Sequence, residues 1–406
     1  MSVESGFPKI TSISSALSQF LDVIVPVSRS GNIRLEDADG RVLSGDIIAP
    51  INVPHYNRSA MDGYAVVAAD TFGSTKDAGV ILKPVKGYHI SSGECKQVNT
   101  GNALPEGADS VVMVENTERT GEYVEVLGQV SPGQNVGLAG EDVKKDNIVF
   151  NKYRQLKPSD IGLLLSMGFA DVPVFDKPRV LIIPTGDEII PRSAPLEAGN
   201  MYECNGVMNL LYVQRFGGFG LMHEIVPDNS QMLADALKEG IYYDLILTIG
   251  GSSVGKRDLI VDVVNTIGRV IVHGVSIKPG KPIAMGFIEA EGRRVPIICL
   301  PGYPAACAID SMVFADRAIK KLGNLPASQY RTEKAVLARK IFSEPGFRTY
   351  TRVSLENGTA TPLRTRGAGV LSSISRADGY VVIPEDVEGY EAGSTVEVVF
   401  LEPDRV

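Results

Sequence analysis

Hydrophobic positions change their period several times along the chain, and each change marks a different kind of element. Over residues 8–25, Ile10, Ile13, Leu17, Phe20, Leu21 and Ile24 recur at helical spacing with Ser and Thr between them, which predicts an amphipathic helix. Ser30–Gly45 reads as a polar connector with one short helix at Leu35–Ala38. Between residues 49 and 146 the apolar runs shorten. Tyr64–Val67, Gly79–Lys83, Ser110–Val114 and Tyr123–Leu127 are each cut off by Gly, Pro, Asp or Asn, as in an all-β module. Helical spacing returns over Lys157–Gly168, where Ile161, Leu164, Leu165 and Met167 follow Pro158 and Gly168 supplies the stop.

Beyond Pro178 the texture switches again. Val180–Ile183, Leu245–Thr248, Val270–Val272 and Ile297–Leu300 are β-branched runs suited to strands buried on both faces. Helix-length periodic segments at 202–217, 229–240, 257–268 and 304–322 lie between or after them, and this alternation predicts a doubly wound parallel α/β sheet. Residues 330–402 hold five or six short strand candidates, enough for a small barrel or sandwich. At roughly 100–200 residues per domain, 406 residues call for two to four domains.

Composition narrows the partners. A net charge of −8 gives no support for non-specific binding to nucleic acid or to an anionic membrane, so any anionic ligand needs a local basic site. The four Cys and four His are scattered with no C-x-x-C, which disfavours a disulfide framework or structural zinc. No basic segment followed by an apolar core opens the chain, and no run approaches the ~20 apolar residues of a membrane span. The expectation is a cytoplasmic protein without nucleic-acid or membrane partners.

Five motifs could carry chemistry. Thr248–Asp258, TIGGSSVGKRD, sets Gly250, Gly251, Ser252 and Ser253 directly after a strand and before a helix. Its amides either cradle an anion or form an ordinary βα turn capped by Asp258. Ile277–Pro282, IKPGKP, aims Lys278 and Lys281 from one stiff, exposed turn, as an anion site or as a solvated loop. Pro184–Ile189, PTGDEI, delivers Asp187 and Glu188 to the same sheet edge, where a divalent cation or a helix cap would use them. Cys299–Cys307, CLPGYPAAC, is a strand running into Pro301 and Pro304 at a helix start. In the β module, SAMDGYAV, TGNALPEGAD and AGEDVKKDN offer Asp62, Thr100 and Asp142, each explicable alone as turn chemistry.

Taken together, SAMDGYAV, TGNALPEGADSVVMVE, GEDV, KPSDIGLLLSMG, PTGDE, IGGSSVG, KPGKP and LPGYP resemble, in order and spacing, the MoeA family of molybdopterin molybdenumtransferases. The E domain of gephyrin and its plant counterpart are relatives. The resemblance covers about residues 8–402. It implies four domains per subunit: a connector and dimerisation domain (8–48 and 147–177), an inserted β domain (49–146), a MogA-like molybdopterin-binding α/β domain (178–326) and a C-terminal β-barrel-like domain (327–406). It implies a homodimer that hydrolyses adenylylated molybdopterin, releases AMP and inserts molybdate with the help of Mg²⁺, the last step of molybdenum cofactor synthesis. A MogA- or MoaB-type adenylyltransferase and molybdoenzyme-maturation proteins are the implied partners.

Carried over residue by residue, the resemblance implies catalytic roles for Asp62, Thr100, Asp142, Glu188 and Asp258. Substrate contacts fall on Gly250, Gly251, Ser252, Ser253, Lys278, Lys281, Pro301, Pro304, Arg348, Ser372 and Ser373, and metal ligation on Glu188, Asp244 and Asp258. In PGFRTYTRVSL, Arg348 is the first candidate for molybdate and Arg352 the second. Because these residues divide between the β module and the α/β domain, the expectation is a site shared by two subunits. Ser252 with Lys256–Arg257, Tyr303 and Ala368 depart from the common family pattern, and they leave tungstate open beside molybdate. A scaffold, or a protein that stores or delivers cofactor, is the competing class.

Overall fold

Ser12 starts the first helix, Ile13–Asp22, by accepting a hydrogen bond from the Ser15 amide. The helix is shorter than its periodic pattern because the Ser12 cap fixes its start. Its buried face, Ile13, Ala16 and Phe20, joins the largest core. The computed structural model describes residues 10–250, 258–363 and 370–403. The chain divides into two compact units, Asn32–Val174 and the combination of Met1–Gly31 with Phe175–Val406.

In the larger unit the α/β sheet has the order Phe219–Met222, Arg179–Pro184, Leu245–Ile249, Arg293–Leu300, Ala284–Ala290, Gly268–His273. The first four strands are parallel, and the last two are antiparallel additions. The sheet is therefore mixed, and the Val270–Val272 run is an antiparallel edge. Leu233, Leu237, Ile260 and Val264 from helices Ser230–Glu239 and Leu259–Ile267 cover one face, and Val213, Phe216, Phe314 and Ile319 pack on the other. This is a doubly wound arrangement. The 304–322 helix is one rod in which a π-helical turn, Ser311–Ala315, separates Pro304–Asp310 from Asp316–Leu322.

The C-terminal strands Arg348–Glu356, Thr359–Pro362, Tyr330–Leu337, Thr395–Pro403 and Gly379–Ile383 pair in that order. The first then pairs with the last, which closes a five-stranded barrel. Val353, Val381, Ile383 and Val398 fill it. A two-residue strand, Ile277–Lys278, lies parallel to Arg348–Thr349 and ties the barrel to the α/β sheet.

The smaller unit holds a six-stranded sheet ordered Ser110–Met113, Gly63–Val66, Glu94–Val98, Val80–Pro84, Tyr123–Val126, Thr117–Thr120. It also holds helix Pro158–Ser166, packed on Leu35, Leu43, Phe150 and Val174. Arg154 grips Asp160 of that helix with two hydrogen bonds, 2.9 and 2.8 Å. Among the described residues no helix is long and apolar enough to cross a membrane.

Candidate active site

The strand order reverses direction between Arg179–Pro184 and Leu245–Ile249, so the crevice of an open α/β sheet lies at their carboxyl ends. Both motif loops leave there. The Thr185 amide donates to Ile249 O at 2.8 Å, and the Gly250 amide donates to Leu300 O at 3.2 Å. Gly250 has φ +109° and an added Cβ would stand 2.4 Å from Thr185 O, so only glycine fits. Gly302 of the Pro301–Pro304 turn packs on Gly250, and its carbonyl accepts from Asn205 Nδ2 at 2.7 Å. Gly251, Ser252, Ser253, Lys256 and Arg257 lie outside the described residues, as does Ala368.

Three carboxylates gather at this edge. Asp187 and Glu188 are exposed, and Asp187 accepts from the Asp228 amide at 3.0 Å. Partial burial, then the negative charges of Asp187 and Glu188, raise the Asp228 carboxyl above the ordinary aspartate range. Asp228 was not among the sequence candidates. Its signal was present, since VPDN follows the strand that lies beside PTGDE.

Asp258 caps helix Leu259–Ile267 through Val261 N at 3.3 Å, and its other oxygen lies 3.4 Å from His273 Nε2. Asp244 must be corrected. It precedes strand Leu245–Ile249 and so sits at the amino edge, about 20 Å from Gly250 by strand rise. There Arg29 holds both its oxygens at 2.9 and 2.8 Å and the Arg179 amide adds a third bond at 2.8 Å. The structure does not bring Asp244 to Glu188 and Asp258.

The IKPGKP turn opens at the same edge, because Ala284 pairs with Cys299 next to Pro301. Lys278 and Lys281 are half-buried, not on a fully exposed loop, and their ammonium groups lie 4.6 and 5.9 Å from the centroid of the Phe347 ring. Lys278 pairs with Glu344. Gly280 rests on Asp310: an added Cβ would stand 2.0 Å from its carboxylate. Asp310 is 0% exposed, and neither of its oxygens has a hydrogen-bond partner among the described residues. Burial drives its pKa well above the usual aspartate range.

The two arginine candidates differ in their partners. Arg348 is neutralised by Glu385, with Nε and Nη2 at 3.2 and 3.0 Å from one oxygen. Arg352 is 5% exposed and donates from Nε to Ser373 Oγ at 3.2 Å and from Nη1 to Tyr350 O at 3.4 Å. Its pKa is lowered by burial alone, which leaves a buried cation with no carboxylate facing it among the described residues. Ser373 is buried beside it, whereas Ser372 is exposed at the start of a one-turn helix.

In the smaller unit Thr100 donates to one oxygen of Asp62 from its amide at 2.6 Å and its hydroxyl at 2.9 Å. Those two bonds, the amide first, hold the exposed carboxyl below its ordinary range. Asp142 is exposed on a loop anchored at Val53, its amide 3.1 Å from Val53 O.

This chain is 37% identical over 396 residues to a putative molybdopterin biosynthesis protein of Methanocaldococcus jannaschii, covering 95% of each chain. It is 30% identical over 383 residues to molybdopterin molybdenumtransferase 2 of Mycobacterium tuberculosis, covering 90% of this chain and 94% of that one. Residues 11–168 match the MoeA N-terminal region (domain I and II), 181–321 a probable molybdopterin binding domain, and 334–401 the MoeA C-terminal region (domain IV). The chain belongs to the MoeA family of molybdopterin molybdenumtransferases. The crystal structure of a molybdopterin biosynthesis MoeA protein from Pyrococcus horikoshii superposes with a TM-score of 0.84 at 31% identity, covering 97% of this chain and all of that one.

As a MoeA-family transferase of molybdenum cofactor biosynthesis, the protein works with molybdopterin and molybdenum. Among the described residues no three His, Cys, Asp or Glu side chains converge on one point as a metal cage would. Glu188, Asp228 and Asp258 are nonetheless hard oxygen donors, and the charge crowding at Asp228 is the kind a divalent cation relieves. One or two carboxylates plus substrate phosphates suit Mg²⁺.

Proposed function

We propose that this chain carries out the last step of molybdenum cofactor synthesis in the cytoplasm: adenylylated molybdopterin is hydrolysed, AMP leaves, and molybdate enters the dithiolene. The observation that carries the oxyanion half is Arg352. Nε is spent on Ser373 and one Nη hydrogen on Tyr350 O, so the fork is held in one orientation while its remaining N–H groups serve a tetrahedral oxyanion. Lys278 and Lys281 add positive charge from the adjoining strand and turn. Gly250, together with the Pro301–Pro304 turn, marks the place for the pterin phosphate and the adenylate.

Mg²⁺ would be held by Glu188 and Asp258, with Asp228 beside Glu188, and when bound it would supply charge neutralisation at the phosphoanhydride. Asp62, kept ionised by Thr100, and Asp142 act from the β module. We take the working form as a homodimer. An adenylyltransferase of the MogA or MoaB type supplies the substrate, and molybdoenzyme maturation proteins take the product.

The test of the oxyanion assignment is calorimetric titration of molybdate into the protein and into Arg352→Gln. Charge-assisted hydrogen bonds of about 1.5–3 kcal/mol translate into a loss of roughly 10- to 100-fold in affinity. Equal affinity in the two proteins would remove Arg352 from the site. Tungstate titrated in parallel reads out metal preference.

A further inference from the structure

The paired-lysine turn already has an anion of its own. Residues 343–347 form a tight turn beside it, in which Ser343 Oγ bonds Phe347 O at 3.1 Å and Thr349 Oγ1 at 2.8 Å. The Gly346 amide donates to Glu385 O at 2.8 Å and the Ser343 amide to Glu388 O at 2.8 Å. The backbone of Glu344 is therefore fixed, and it places the carboxylate on Lys278. The hydrogen bond from Lys278, then its charge, then that of Lys281, hold this carboxyl below its ordinary range, so it faces both lysines as an anion. Phe347 of the same turn lies within 4.6 and 5.9 Å of the two ammonium groups. The side chain of Glu344 is 60% exposed, so it can swing into water without breaking any packing.

We propose that Glu344 is the resident counter-ion of the Lys278–Lys281 turn, a carboxylate that an incoming oxyanion must displace. The proposal rests on the assignment of those lysines to the oxyanion. An exposed ion pair is worth little, so a dianion displaces Glu344 readily, whereas a weakly attracted monoanion gains nothing over the carboxylate already there. The glutamate thus sets a threshold for entry, and its removal should strengthen binding, the opposite of what loss of a ligand contact does.

The experiment is calorimetric titration of molybdate into the full-length protein and into Glu344→Gln, Glu344→Ala, Lys278→Ala and Glu391→Gln. Glu391 pairs with Lys340 elsewhere on the barrel and is 71% exposed, so its variant reports the effect of simply removing one negative charge from an acidic protein. The expected result is affinity roughly two- to fivefold tighter in both Glu344 variants, unchanged in Glu391→Gln, and weaker in Lys278→Ala. Weaker or equal binding in the Glu344 variants, with Lys278→Ala weakened, overturns the resident-anion role and leaves the lysine assignment standing. An equal gain in Glu391→Gln overturns it as a general charge effect. Unchanged affinity in Lys278→Ala overturns the lysine assignment and the proposal with it.

Discussion

At the scale of single residues, what distinguishes the site is which charges are compensated and which are not. Arg348 and Arg352 share one strand and, four residues apart, one side of it, yet among the described residues only Arg348 has a carboxylate partner. The family resemblance put Arg348 first and Arg352 second, and it carried no sign that Glu385 reaches the one and Ser373 the other. Arg348→Gln is therefore expected to change molybdate affinity by less than about threefold, the scale of a part-exposed pair; a loss matching that of Arg352→Gln would contradict the choice of Arg352 over Arg348. Asp310 was invisible as a special group, since an acid on a helix ordinarily faces water. Its folded-state pKa is raised, so its stabilising contribution is complete below the unfolded value of about 3.9 and is lost as pH rises toward the folded pKa. Tyr350 and Cys307 are the titratable neighbours that feel its charge. Asp310→Asn is expected to raise the melting temperature by an amount that grows as pH rises above about 4. Melting temperatures of the two proteins that run parallel as pH rises would contradict a raised Asp310 pKa.

Among the elements, periodicity revealed the ones with a strong apolar signal and lost the ones without it. Leu245–Ile249 and helix Leu259–Ile267 are nearly continuous β-branched and leucine runs, whereas strand Glu94–Val98 alternates with Lys96 and Gln97 and reads as a loop. Ala284–Ala290 was missed because Pro282 precedes it and Gly286 interrupts it. The Asp244 error also belongs here: a residue before a parallel strand lies on the edge opposite the loop that follows the strand, and that direction was available from the sequence. Asp258 follows the Gly loop and has two roles at once, as helix cap and as candidate cation ligand. Asn caps a helix as well as Asp does, so Asp258→Asn is expected to leave the melting temperature unchanged while raising the Mg²⁺ concentration needed for half-maximal AMP release about tenfold or more, the scale of one lost charged ligand. An unaltered Mg²⁺ requirement would reduce Asp258 to a cap.

For the whole molecule, the motif set read in order was more informative than any motif alone, because the turns at Asp62, Thr100 and Asp142 and the crevice at Gly250 each have an ordinary structural explanation. The proposed homodimer makes one further commitment. Asp62 lies in the smaller unit and Asp258 in the larger, and if two subunits share each site, inactive Asp62→Ala and Asp258→Ala chains should complement in a mixed dimer. Purified heterodimers are expected to recover up to about half the activity of the unaltered dimer; inactive heterodimers would place each site within one chain. The central claim is that this chain couples hydrolysis of adenylylated molybdopterin to capture of an oxyanion. The measurement that tests it most directly follows AMP release from adenylylated molybdopterin with Mg²⁺ present, with and without molybdate, alongside the formation of active cofactor. The account predicts AMP release that depends on molybdate and matches cofactor formed. Binding of the substrate without AMP release, or AMP release indifferent to molybdate with no cofactor formed, would contradict it.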